Sequence, residues 1–307
     1  MLFRSVNVQP IEAMFNPSFI VRSFHVITTA GMTMAFVIAS IAAFKLLRNR
    51  QPKDTVYHKK ALKMSMIVGF FSTLLSMLAG DLSAKFLHKF QPEKLAAYEW
   101  HFDTSSHAKL LLFGVLDEKT QQVKGAIELP GLLSFLADNS VKTKVQGLND
   151  FPKSLHPPMI VHYFFDLMVT MGILCFVISG VYVLTLMFKK LRKFSTHKWM
   201  LYGILLTGPA SMLAIEFGWF LTEMGRQPWI VRGYMRVAEA ATQAGGITFV
   251  TILFGILYII LMYTCAYVLI RMFKNKPAYE DVNRLAKKQG GGSEERRVGK
   301  ECLRLCR

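Results

Sequence analysis

Residues 159–188 read MIVHYFFDLMVTMGILCFVISGVYVLTLMF, an apolar run that one acid, Asp166, interrupts and that the basic string Lys189-Lys190-Leu191-Arg192-Lys193 closes. A helix needs ~20 residues to cross the ~30 Å hydrocarbon core of a bilayer, so a run of this length is read as a membrane span. Working outward, comparable stretches fall at residues 19–47, 61–82, 199–221 and 247–272. The expected fold class is an all-α membrane protein: a bundle of about five transmembrane helices with one long loop.

Composition agrees with that reading. Hydrophobic residues make up 52% of the chain, with 24 Phe and 17 Met, and the mean hydropathy is +0.32, a value that points to the bilayer. The net charge of +17 could suit a polyanion, but the basic residues sit in short loops at span ends rather than in one patch, so no nucleic-acid partner is expected. Their placement sets the orientation instead. Lys45, Arg48, Arg50, Lys53, Lys59, Lys60 and Lys63 crowd the first loop, and Lys189, Lys190, Arg192, Lys193 and Lys198 the third. Positive loops stay in the cytoplasm. The N-terminus, the long second loop and residues 225–229 are then outside, with Arg271, Lys274 and Lys276 inside.

By this reading the chain divides into a lead-in over 1–18, two spans over 19–82, an extracytoplasmic loop over 83–158, three spans over 159–288 and a tail over 289–307. No cleavable signal peptide is expected, because Arg4 is followed by Pro10 and Pro17 and not by a compact apolar core. In the loop, residues 110–115 and 123–129 flank Asp117-Glu118-Lys119-Thr120 and predict a hairpin, and residues 131–139 predict a short amphipathic helix. The tail runs from Gly290-Gly291-Gly292-Ser293 into an aperiodic, highly charged stretch and reads as non-native, as do the first residues of the lead-in. Cys302 and Cys306 lie in it while Cys175 and Cys265 lie in spans, so no disulfide or cysteine metal framework is expected.

The chemistry-bearing segment is GWFLTEMGRQPW, residues 218–229, where a span reaches water carrying Glu223, Arg226, Trp219 and Trp229. An unpaired ion in the lipid core costs several kcal/mol, so Glu223 and Arg226 are either solvated at the interface or engaged with a cofactor. Two further residues have haem-ligand chemistry. His25 lies about two turns inside the first span, and Met168 lies about ten residues past Pro158, or ~15 Å at ~1.5 Å per residue, which gives them similar depth. Spacing alone leaves other readings open: a span histidine also serves a hydrogen bond between helices, and one methionine among 17 also serves packing.

The run Gly225-Arg226-Gln227-Pro228-Trp229 resembles, without a gap, the signature of subunit I of the cytochrome bd family of quinol oxidases. The similarity covers about residues 16–277 and matches that subunit's fifth to ninth spans. It implies that His25 and Met168 ligate a low-spin haem b, that Glu223 ligates a high-spin haem b, and that Trp219 lies beside the latter with Arg226 helping to keep the carboxylate ionised. Lys94-Leu95-Ala96-Ala97-Tyr98-Glu99 matches the family's quinol-oxidation motif, so Lys94 and Glu99 are expected at a quinol site; without the resemblance they would read as an ordinary solvated pair.

The resemblance further implies a bacterial or archaeal plasma membrane, subunit II and lipid as partners, quinol oxidised at the outer face, and dioxygen reduced at a haem d. The ligand-bearing spans for haem d belong to the family's first four, which have no counterpart here, so the chain is expected to be part of a longer gene product. A second departure is Asp166, where some relatives carry an arginine two residues before the methionine. Glu216, about two turns before Glu223, suits either a proton path or a bond between helices. Two competing functions keep part of the pattern: a haem b electron relay without oxygen reduction, which has no need of Glu223, and an ion or solute transporter lined by Glu216, Glu223 and Arg226.

Overall fold

The computed structural model describes residues 9–48, 54–241 and 245–275. Among them, five helices are long and apolar enough to cross a membrane. The described residues fall into two compact units, those within 1–47 and 61–241 and those within 48–60 and 242–307.

In the first unit, α1 (Pro10–Met14) leads to α2 (Ser18–Arg48), whose start is capped where the Asn16 side chain accepts the Ser18 backbone N–H at 2.9 Å. Then come α3 (Thr55–Phe90), α4 (Pro92–Tyr98), a loop domain, α6 (Val161–Met187) and α7 (Lys198–Met224). Met32, Phe36 and Ala39 of α2, Leu62 and Met66 of α3, Cys175 and Tyr182 of α6, and Leu201 and Ile204 of α7 share one buried core. Lipid offers no hydrophobic drive between helices, so small residues and polar bonds must hold such a bundle. One junction shows how. Pro209 inside α7 has no N–H to give the Leu205 carbonyl, and the Ser40 hydroxyl of α2 donates to that carbonyl at 2.8 Å. Close approach there requires Gly208, whose Cβ would lie 2.6 Å from that of Ser40.

The α3 helix continues past residue 82 to Phe90, two turns beyond the apolar run. An ion pair between Asp81 and Lys85 at i,i+4 supports the extension, and Leu87 packs onto the cores of the loop domain. The long loop therefore starts at Gln91 and is a folded element. Strands β1 (Leu110–Leu112) and β4 (Ile127–Leu129) pair antiparallel outside the inner pair β2 (Val115–Asp117) and β3 (Gln122–Lys124), forming the expected hairpin. Helix α5 (Leu132–Asp138) follows at the expected place. Its buried Ser134 accepts the Ala108 N–H at 2.8 Å and donates to the Thr143 carbonyl at 2.8 Å, which locks α5 onto the β1 approach.

A stretch of 3-10 helix, Lys189–Thr196, carries the basic connection between α6 and α7. After α7, strands β5 (Trp229–Val231) and β6 (Met235–Arg236) form a small ribbon, followed by α8 (Val237–Ala240). The second unit contains α9 (Ile247–Asn275), which holds the fifth candidate span. Lys276, the first five residues and the tail over 289–307 lie outside the described residues.

Candidate functional site

Pro92 begins α4 immediately after Gln91, and Glu93 sits in the first turn, both favourable at a helix start. The helix ends in a Schellman-type turn: the His101 N–H reaches the Ala96 carbonyl at 2.9 Å while Trp100 takes a left-handed φ of 47°. A left-handed tryptophan costs ~1–2 kcal/mol. Its surroundings hold it there, since the indole stacks on His162 at 4.0 Å and donates to the Met159 carbonyl at 2.9 Å. The turn fixes Glu99, the residue just before it.

The same helix is seated on the end of α7. Tyr98 donates its hydroxyl to the Leu221 carbonyl at 3.0 Å, in the last turn before Glu223. The ring comes so close to Gly225 that a Cβ there would sit 2.5 Å from it, which gives the first glycine of the GRQPW run a packing reason. Lys94 and the GRQPW loop thereby line one cavity of about 290 Å³, together with Arg22 from α2 and Arg232 from the β5–β6 ribbon.

Charge in this cavity is unevenly paired. Arg226 binds Glu223 at 2.6 Å across i,i+3, and Arg232 grips both oxygens of Glu93 at 2.8 Å each. Among the described residues, the side chains of Arg22 and Lys94 have no ion-pair or hydrogen-bond partner. Lys94 is 8% exposed. Its ammonium is pushed down to about 8, first by burial and then by Arg22 and Arg226, with Glu223 and Glu93 opposing. A buried cation aimed into a cavity beside a second unpaired cation is suited to an anion or a strong acceptor.

Glu99 is placed elsewhere. Five residues on along the chain, it turns away from the cavity and is 3% exposed, with Oε2 lacking a hydrogen-bond partner among the described residues. Burial, and next the nearby Asp166, push its carboxyl up to about 8. Asp166 on α6 accepts the Phe113 backbone N–H at 2.6 Å and lies 3.3 Å from His162 Nε2, while His162 Nδ1 donates to the Tyr98 carbonyl at 2.5 Å. The acid that departs from some relatives thus serves as an anchor for the long loop. Lys94 and Glu99, expected as one site, flank α4 on separate sides.

The expected haem ligands lie in the helices below. His25 is half-buried on α2, with Nδ1 buried and unpartnered among the described residues. Met168 on α6 points at α7, where a Cβ on Gly218 would stand 3.0 Å from its sulfur. Glu216, Trp219 and Glu223 follow at i, i+3 and i+7 along α7, so they share a face, and Trp219 is 57% exposed. No group of three or more His, Cys, Asp or Glu suited to a bare metal ion occurs among the described residues.

The family model described as cytochrome bd terminal oxidase subunit I matches residues 3–277. The chain belongs to that family. It is 40% identical over 279 residues to a Bacillus subtilis (strain 168) protein described, as a provisional assignment, as a cytochrome bd menaquinol oxidase subunit I, covering 90% of this chain and 62% of that protein. A cytochrome bd ubiquinol oxidase subunit 1 of the same organism is 31% identical, covering 87% of this chain and 58% of its own length. The solved structure of the bd oxidase from Geobacillus thermodenitrificans superposes with a TM-score of 0.81 at 48% identity, over 89% of this chain and 62% of that one. The chain thus spans about three-fifths of the length of these bd relatives.

Sequence reasoning missed Arg22, Arg232, Glu93 and the His162–Asp166 pair. Arg22 had one available signal, its position one turn before His25. Arg232 had none, because its partner lies 139 residues away.

Proposed function

We propose that this chain is the haem-carrying, quinol-oxidising part of a membrane quinol:oxygen oxidoreductase, working with a second subunit in a bacterial or archaeal plasma membrane. The observation that carries the reading is the shared cavity, in which buried Lys94 of the quinol-type motif faces Arg226 and the loop that follows Glu223. The basic loops support an orientation with the α4 to α5 region outside and residues 189–198 in the cytoplasm.

The donor set fits haem. His25 presents a buried ring nitrogen with no partner among the described residues, Met168 a thioether beside Gly218, and Glu223 a carboxylate paired with Arg226. His25 and Met168 would hold a low-spin haem b and Glu223 a high-spin haem b, with Trp219 beside it; a haem d belongs to spans outside this chain. Bound haem supplies one-electron acceptance and the reduction of dioxygen.

The chain's own residues handle quinol and protons. Lys94 binds a ring oxygen of the quinol as a buried donor. Glu99, held protonated by burial at neutral pH, exchanges a proton on the far side of α4. Tyr98 keeps α4 seated on α7, which holds the cavity next to the Glu223 turn.

The test is the absorption spectrum and quinol turnover of the intact complex. Haem b absorbance with Lys94-dependent quinol oxidation and oxygen uptake is expected. Haem absorbance without oxygen uptake would favour an electron relay, and a colourless protein would favour a transporter.

A further inference from the structure

Arg232 carries a specific arrangement that its position in an exposed ribbon does not require. Its Nε and Nη2 donate to the two oxygens of Glu93 at 2.8 Å each, and Nη1 donates to the Phe90 carbonyl at the end of α3. Both oxygens of that carboxylate are occupied. Glu93 lines the same cavity as Lys94 and is its immediate neighbour in the first turn of α4. It is 13% exposed, so it has little water to satisfy it if released.

We propose that Arg232 is a positioning residue that sequesters the Glu93 carboxylate, so that Lys94 and Arg22 stay free to bind the anionic oxygen of a deprotonated quinol-type ligand. The inference rests on the quinol reading of the cavity. Two carboxylates stand near its cations. Glu223 is taken by Arg226 and Glu93 by Arg232, which leaves Arg22 and Lys94 without an ion-pair or hydrogen-bond partner among the described residues, the Lys94 ammonium lying over the Tyr98 ring at 5.5 Å. Without Arg232, Glu93 is the carboxylate nearest in sequence to Lys94, and a ligand oxyanion has to compete with it. A bidentate arginine–carboxylate pair is the arrangement best suited to prevent this, being geometrically fixed and charge-assisted. The same contact ties the ribbon after Trp229 to the junction of α3 and α4, so a purely mechanical role is the alternative to exclude.

The experiment uses two probes of similar shape, both supplied in the oxidised form without reductant: a hydroxynaphthoquinone that is anionic at neutral pH, and unsubstituted naphthoquinone, which is neutral. Binding is read by quenching of tryptophan fluorescence in the purified chain, since Trp229 lines the cavity. Arg232→Gln should weaken the anionic probe about five- to tenfold while changing the neutral one less than about twofold. Adding Glu93→Gln should restore anionic binding, because the released carboxylate is gone. In the intact complex, Arg232→Gln should raise the quinol KM and leave kcat within about twofold.

A double variant as weak as Arg232→Gln alone, or equal loss of both probes, overturns the proposal in favour of a mechanical tie. Glu93→Gln alone keeps Arg232 in place and should bind the anionic probe as well as or better than the native chain; weaker binding overturns the proposal even if Arg232→Gln fails to fold. Lys94→Gln separates the two levels. If it leaves probe binding and quinol turnover unchanged, the quinol reading itself falls; if it acts and Arg232→Gln is silent, only the role of Arg232 falls.

Discussion

Asp166 near the start of α6 accepts the backbone N–H of Phe113 at 2.6 Å, joining a membrane helix to the hairpin of a loop 53 residues earlier. The bond is made at a buried carboxylate, where losing the acceptor strands a donor at a cost of about 1–3 kcal/mol. Asp166→Ala is therefore expected to lower the thermal midpoint and to open the hairpin to trypsin at Lys119 and Lys124. Asp166→Asn keeps an acceptor and should stay close to the native cleavage rate. Equal cleavage of Asp166→Ala and the native protein would show that the loop is held by its apolar contacts alone.

The placement of the lysines predicts an orientation that labelling can test. Ser140, exposed after α5, should be labelled as cysteine by an impermeant maleimide in intact cells, whereas a cysteine at exposed Lys190 should react only after the membrane is opened. The reverse pattern would invert the topology.

Gly208→Ala tests how the spans are held together. The added methyl would lie 2.6 Å from Ser40 Cβ, and Ser40 has to stay in place because its hydroxyl satisfies the carbonyl freed by Pro209. Overpacking of this kind costs about 1–3 kcal/mol. A clear fall in the thermal midpoint is expected, with quinol chemistry affected only through stability. No fall would mean that α2 and α7 separate freely at this level.

The membrane spans were legible because the bilayer demands a long apolar run of any helix that crosses it, and the hairpin around residues 117–120 because its strands and turn are local. The α4 helix was not. In Gln91-Pro92-Glu93-Lys94-Leu95-Ala96-Ala97-Tyr98-Glu99 the charges read as solvated, yet Lys94 and Glu99 are 8% and 3% exposed. They are buried by partners from α2, α6 and α7 that a single sequence cannot pair with them. For the same reason the motif suggested one site, while helical geometry directs its two charged residues to different neighbours. The clamp between Arg232 and Glu93 is non-local in the same way.

The raised carboxyl of Glu99 has a pH signature. Burial, with Asp166 adding to it, moves the group from 4.5 to about 8, so the folded state holds this proton more tightly than the unfolded chain. Its contribution to stability is fully present below 4.5 and is lost as pH rises through about 8, at no more than ~1.4 kcal/mol per pH unit. Asp166 on α6 is the charged group that acts on it, and His162 lies 3.3 Å from Asp166 in turn. Glu99→Gln should flatten the fall in thermal midpoint over that window. If Glu99 accepts a proton released on quinol oxidation, it has to be ionised to do so; native turnover should then climb as pH approaches 8, and Glu99→Gln should slow it strongly with haem content unchanged. Undiminished turnover would leave Glu99 a structural acid.

Glu223 and His25 should fail differently. A carboxylate binds ferric iron as the anion, and near lipid it needs a positive neighbour; Arg226 supplies one at 2.6 Å. His25 is an imidazole on another helix, with a buried ring nitrogen unpartnered among the described residues. In the intact complex, Glu223→Ala is expected to remove the high-spin haem b absorbance and oxygen consumption while quinol still reduces the low-spin haem. His25→Ala, like Met168→Ala, is expected to remove the low-spin signal first and to leave the high-spin absorbance at least partly present. Arg226→Gln should resemble Glu223→Ala in weaker form, since it removes the partner that fixes the carboxylate and leaves the carboxylate itself. Complete haem absorbance and normal oxygen consumption in Glu223→Ala would reduce the Glu223–Arg226 contact to an ion pair at the membrane surface.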